Sequence, residues 1–304
     1  MTAVDAPVVA APAGGVALGA KRVKKAATSR WASIAAIVIA VLWTIPTFGL
    51  LVTSFRPQAD ITKNGWWNVF IHPSFTLSNY HDVFTTESGG ATFGTYFINS
   101  IVIVIPAVFI PISIATLAAY AFAWIDFKGR DFFFILIFAL QIVPIQVTLI
   151  PLLELYVKLG LANTFWTIWI SHSIFALPLA IFLLHNFMRD VPKELIEAAR
   201  VDGAGHVKIF FSVMLPLLKP ALAAFAIFQF LWVWNDLLVA LTFAGGSPKV
   251  APVTLALANL SGTKDGQWYL LSAAAFIAII VPLVVFISLQ RYFVRGLLAG
   301  SVKG

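Results

Sequence analysis

Six stretches of this chain are too long and too apolar to be the interior helices of a soluble domain. They run roughly over 31–55, 95–125, 132–157, 164–188, 217–243 and 268–293. Each has the about 20 residues that a helix needs to cross roughly 30 Å of hydrocarbon. Only 11% of the residues are charged, the mean hydropathy is +0.93, and a soluble domain would carry about a quarter charged residues. The expected fold is therefore an all-α membrane protein with six transmembrane helices. Every run contains proline: Pro46; Pro106 and Pro111; Pro144 and Pro151; Pro178; Pro220; Pro282. Proline removes a donor and kinks a helix, which is tolerable where a neighbouring helix satisfies the freed carbonyl. Two readings stand beside each other here, the ordinary abundance of proline in membrane helices and a bundle that bends during a working cycle.

A formal net charge of +7 suits either a nucleic-acid binder or a membrane protein with basic cytoplasmic flanks. The distribution decides. With the N-terminus in the cytoplasm, 15 of the 20 Lys and Arg fall inside, among them the cluster Lys21-Arg22-Val23-Lys24-Lys25, the Lys128–Arg130 turn, the loop from Arg189 to Lys219, and Arg291, Arg295 and Lys303. The five outside are Arg56, Lys63, Lys158, Lys249 and Lys264. Such a bias puts both termini on the cytoplasmic side of a bacterial inner membrane. It leaves no single basic face for nucleic acid. Residues 1–29 read as a disordered basic cytoplasmic tail, and 30–94 as the first spanning helix plus an external segment. Residues 95–293 read as the core of the bundle, and 294–304 as a cytoplasmic C-terminal tail. The first run is too long for a signal-peptide core and no small-x-small site follows it, so it is an anchor. With no cysteine and five scattered histidines, neither a disulfide nor a metal site is expected.

Between the fourth and fifth runs, residues 189–216 break the apolar pattern with "RDVPKELIEAARVDGAGHVKIFFSVMLP". Pro192 suits the first helical position, Glu194 the first turn and Gly203 a helix stop. Leu195, Ile196 and Ala199 fall on one face, with Lys193, Glu194, Glu197 and Arg200 on the other. From these features alone the segment is either a loop resting on the lipid interface or a docking surface. The run Glu197-Ala198-Ala199, then Gly203, nine residues, and Val213-Met214-Leu215-Pro216 resembles the signature E-A-A-x-x-x-G…I-x-L-P of ABC-importer permeases, with Val213 in the isoleucine position. The resemblance implies a type I ABC importer permease whose coupling helix docks on a cytoplasmic ATP-binding subunit dimer through Glu197, Ala198, Ala199, Asp202, Gly203, Leu215 and Pro216. "RYFVRGLLAGSVKG" (291–304) and "FLWVWNDLLVAL" (230–241) are similar to carbohydrate importers of the maltose type, and "SFRPQADITKNGWW" (54–67) resembles α-glucoside permeases. These imply a sugar substrate, a di- or oligosaccharide or an α-glucoside. They also imply a second permease subunit in a heterodimer and an extracytoplasmic solute-binding protein facing the Gly/Ser/Pro-rich segment 244–267. A plain surface loop is the alternative for that segment.

No G-x-x-x-x-G-K-[ST] occurs, so ATP and Mg belong to the partner ATPase and no cofactor is expected in this chain. No catalytic constellation has a workable spacing, and the chain is read as a non-enzymatic subunit. Ionisable or polar side chains within spans invite a functional hypothesis. Glu154, His172, Asn235 and Asp236, with Trp234 and neighbouring tryptophans for stacking, are the candidates for the substrate pathway. The rival classes are a secondary transporter, for which no internal repeat is visible, and an intramembrane enzyme, for which no catalytic pair is visible.

Overall fold

The computed structural model describes residues 30–245, 247–262 and 267–301, with side chains through residue 290. The tail expected over 1–29 lies outside the described residues, as do 302–304. Helix α1 (Arg30–Ser54) leads into α2 (Gln58–Ile61), a 3-10 turn (Trp66–Phe70), α3 (Ser78–Thr85) and a short hairpin, β1 (Glu87–Ser88) with β2 (Ala91–Thr92). Next come α4 (Phe93–Trp124), α5 (Arg130–Leu140), α6 (Ile145–Lys158), α7 (Phe165–Arg189) and α8 (Lys193–Val201). The chain continues through α9 (His206–Ile209), a π turn (Phe210–Met214), α10 (Leu215–Trp234), α11 (Leu238–Ala244), α12 (Val253–Ser261) and α13 (Trp268–Ser301).

Among the described residues, five helical runs are long and apolar enough to span a membrane: α1, α4, α7, the run His206–Trp234, and Trp268–Gln290 within α13. The third expected span is not one helix. Its halves α5 and α6 meet at 98°, because Pro144 is extended (ψ 131°) and biases the residue before it away from helix. The fifth span also differs from expectation. It starts at His206, inside what was read as loop, so that Val213, Leu215 and Pro216 are helical. Its π turn sits just before Pro216, which has no N–H for the carbonyl of Ser212. At the other end it stops at Trp234, and α11 follows as a separate helix after a break at 235–237.

The centre of the bundle is the long contact between α4 and α7. Ala115 and Ala119 on α4 face Ala176 and Ala180 on α7 in one buried cluster. Small residues four apart let the two backbones approach, which is how helices associate where lipid removes the hydrophobic drive. Prolines then organise the polar contacts. Pro106 leaves the carbonyl of Val102 without its partner four residues on, and Trp169 Nε1–H on α7 donates to it (3.1 Å). Pro111 likewise frees Ala107, whose carbonyl accepts from Gln229 Nε2 on α10 (3.2 Å). Pro282 frees Ala278, which accepts from Trp234 Nε1 (3.2 Å). Three kinks are thus pinned by side chains from other helices.

Two connections are better ordered than a surface loop. Arg56 is 2% exposed, and its guanidinium donates to the carbonyls of Asp60, Asn64 and Gly65. Asn79 Nδ2 bonds the carbonyls of Ser54 and Arg56, so residues 56–85 form a folded cap on the end of α1. The segment expected as an external loop over 244–267 is folded back as α12. Val250, Ala251, Val253, Leu255 and Ala256 are buried, Asn99 donates to the carbonyls of Pro248 and Ala251, and Ser100 Oγ accepts the Val253 N–H. The reading of a plain surface loop is therefore corrected. Gly245, Lys249, Ser261 and Gly262 remain exposed, while residues 246 and 263–266, including Lys264, lie outside the described residues.

Candidate functional site

At one end of the bundle, beyond the last turn of α7, α8 is a short capped helix. Pro192 is its N-cap, extended at ψ 132°, rather than its first helical residue. Its C-terminus closes in a Schellman arrangement: Gly203 N–H bonds Arg200 O (3.0 Å) and Ala204 N–H bonds Ala199 O (2.9 Å). Gly203 sits at φ +79°, a left-handed conformation that glycine adopts without cost. Ile196, 2% exposed, plugs into the cluster of Leu184, Met188, Ile209, Phe210 and Met214. Tyr120 Oη lies 3.2 Å from His206 Nδ1 and ties the α8–α9 turn to α4. Leu195, expected on the same face as Ile196, is exposed, as are Ala198 and Val201. A firmly seated helix therefore turns a small apolar ridge outward, with Glu194, Glu197 and Asp202 exposed around it. Nothing lies within 4 Å of a side chain placed at Gly203, so another surface can approach the backbone there.

A second polar group lies inside the bundle. His172 on α7 is 1% exposed, with its Nε2 3.8 Å from Asp236 Oδ2, its ring edge-on to Trp232, and its Nδ1 without a hydrogen-bond partner. Asp236 caps α11: Oδ1 accepts from Val239 N (3.3 Å) and Oδ2 from Ala240 N (3.0 Å). Its carbonyl accepts from Thr254 Oγ1 (2.6 Å), which ties the break after α10 to α12. The residue before His172 on α7, Ser171, shares a hydrogen bond with Tyr156 Oη (2.9 Å).

The profile of the family of binding-protein-dependent transport system inner membrane components matches residues 111–298. The chain belongs to this family. The chain is 56% identical over 89% of its length to the osmoprotective compounds uptake permease protein GgtD of Synechocystis, covering 91% of that protein. It is 52% identical over 84% of its length to the alpha-glucoside transport system permease protein AglG of Rhizobium meliloti, covering 67% of it. The melibiose/raffinose/stachyose import permease protein MelC of Bacillus subtilis is 33% identical over 93% of this chain and all of its own length. Among solved structures, a chain of a bacterial ABC transporter that imports alginate superposes with a TM-score of 0.63 at 16% identity, covering 90% of this chain and 99% of that one. That likeness establishes the shared fold of an all-α type I permease.

In this permease the sequence-derived site residues separate into two groups. Glu197, Ala198, Ala199, Asp202 and Gly203 are brought together on α8 and its cap, whereas Leu215 and Pro216 lie on the following spanning helix. Of the pathway candidates, His172 and Asp236 adjoin. Asn235 is exposed at the break, its Nδ2 donating to Leu231 O. Glu154 is exposed on α6. Trp234 is 4% exposed and its N–H is donated to the carbonyl that Pro282 frees. Sequence reasoning missed Gln229 and Trp169, although each proline four residues after a carbonyl signalled that some donor was required.

Proposed function

We propose that this permease is one membrane subunit of an ATP-driven importer of neutral sugars, α-glucosides and related small oligosaccharides, and that α8 is the surface on which a separate ATPase acts. The observation that carries the reading is the outward ridge Leu195, Ala198 and Val201 on a helix whose other side is locked into the bundle through Ile196. A partner that grips such a ridge moves the ends of α7 and α10 with it. The EAA spacing and the named substrates of AglG and MelC support the same assignment.

ATP and Mg are bound by a dimer of the ATPase subunits on the cytoplasmic side, where the Lys and Arg bias places α8 and both termini. A different six-span chain completes the pathway: α1 is exposed along most of its length and packs mainly on α13 and the 3-10 turn among the described residues. An extracytoplasmic solute-binding protein delivers the sugar to the opposite end, near the exposed residues that flank α12. Asn235, at the break after α10, presents a side-chain carbonyl for a sugar hydroxyl, and the Asp236–His172 pair behind it holds that break in place.

The test is uptake of a radiolabelled α-glucoside into proteoliposomes containing the permease pair, the ATPase and the binding protein. Uptake that needs internal ATP and is lost in Glu197→Lys, with the subunit still in the membrane, is the expected result. Uptake driven by a proton gradient without ATP would overturn the proposal.

A further inference from the structure

Beside α8 lies a cavity of about 920 Å³ whose lining shares Glu197 with the coupling surface. It is bounded by the last turn of α4, the start of α5, the end of α7 and the inner edge of α8. Four cationic side chains line it, Arg130, Arg189, Lys193 and Arg200, against three carboxylates, Asp126, Asp131 and Glu197. Arg130 is engaged, 2.8 Å from Asp126 and 3.3 Å from Asp131. Arg189, Lys193 and Arg200 are in no ion pair with a carboxylate among the described residues. The Arg130–Asp126–Asp131 group keeps a net charge of −1, so the cavity lining as a whole holds four cations against three carboxylates, with Glu197 as the carboxylate that Arg130 does not engage.

The wall also contains two buried nitrogens without partners, Trp124 Nε1 and His185 Nδ1. His185 is 7% exposed and its ring packs on Phe134, centroids 4.2 Å apart. An indole N–H can only donate, and a buried donor left unpaired costs about 1–3 kcal/mol. The unspent capacity of the cavity is thus mostly donor capacity: two guanidinium groups, an ammonium and an indole N–H converging from three helices. An acceptor-rich anion satisfies that set, and guanidinium groups bond phosphate oxygens in pairs. The apolar side of the cavity, Phe122 and Ile135, continues onto the surface of α5, where Ile135 is exposed.

We propose that this cavity binds a phosphate group, carried either by an anionic phospholipid of the adjoining leaflet or by a soluble phosphate ester. A phosphate seated there bridges Arg189 at the end of α7 to Lys193 and Arg200 on α8. It stiffens the joint between the bundle and the helix that moves.

The protein is purified through a tag on this chain, with its partner subunits, in mild detergent. Native mass spectrometry then counts retained phospholipid, and a thermal unfolding midpoint is measured on delipidated complex in inorganic phosphate against chloride at matched ionic strength. A phosphatidylglycerol molecule retained per copy of this chain assigns the lipid source. A phosphate-specific rise in midpoint without retained lipid assigns the soluble source. In either case Arg189→Gln weakens binding about tenfold, the loss of one charge-assisted contact. Trp124→Phe keeps the ring, removes only the N–H and weakens it less, which covers the event that the arginine variant does not assemble. Neither lipid nor phosphate effect, or an effect unchanged in both variants, overturns the proposal. So does cross-linking of Ile135→Cys to the ATPase subunit, because the cavity would then be filled by protein.

Discussion

Trp234 and Pro282 form a pair whose energetics are separable. In Trp234→Phe the carbonyl of Ala278 loses its donor, and the expected cost is about 1–3 kcal/mol, read as a lower thermal midpoint of the purified complex. In a Pro282→Ala background residue 282 regains an N–H able to bond Ala278, so the same Trp234→Phe change costs less than about 1 kcal/mol. Equal costs in both backgrounds would mean that the indole acts by packing alone. Gly203 permits a second measurement at this scale. Its φ of +79° is costly for a β-branched residue by about 1–2 kcal/mol, while asparagine tolerates it. Since no atom crowds the position, Gly203→Asn should keep sugar-stimulated ATPase activity. Gly203→Val should lose most of it by unseating the end of α8, without loss of membrane insertion. The glycine stop was legible in the sequence, because a left-handed cap needs that residue type. The partner of a freed carbonyl was not, because it comes from another helix more than 40 residues away for Trp234 and Ala278.

Helices α7 and α8 answer the same substitution differently. Ala180 is fully buried between α4 and α7, so Ala180→Leu overpacks the seam and costs about 1–3 kcal/mol, measured by thermal unfolding in detergent. Ala198 is exposed on α8. Ala198→Leu should leave the unfolding midpoint unchanged and instead reduce co-purification of the ATPase subunit. If both changes lowered the midpoint equally, α8 would be part of the packed bundle and not a docking surface. The amphipathic reading put Leu195 and Ile196 on one face of α8, whereas Ile196 is buried and Leu195 exposed, because the two lie about 100° apart around the helix. The α5–α6 elbow was visible only as a proline, for local sequence places a break but does not set its angle.

Among the bare apolar faces of the described residues, one runs along α1, where Trp43 is 77% exposed, and another along α5 and α6, with Phe132 and Ile150 also exposed. The natural chain has no cysteine, so a single Trp43→Cys is a clean reporter. In membranes holding the complete importer it is expected to cross-link to a cysteine placed on the second permease. A product only with lipid-directed reagents would put α1 in the bilayer instead. The membrane class, the helical content and the signature loop followed from the sequence, because hydropathy and residue spacing act over one or two helical turns. The inward folding of α12, the approach of His172 to Asp236, and the side chains that satisfy Val102, Ala107 and Ala278 were decided only by tertiary structure. Those contacts depend on which helices lie side by side, and no local pattern of apolar residues records that choice.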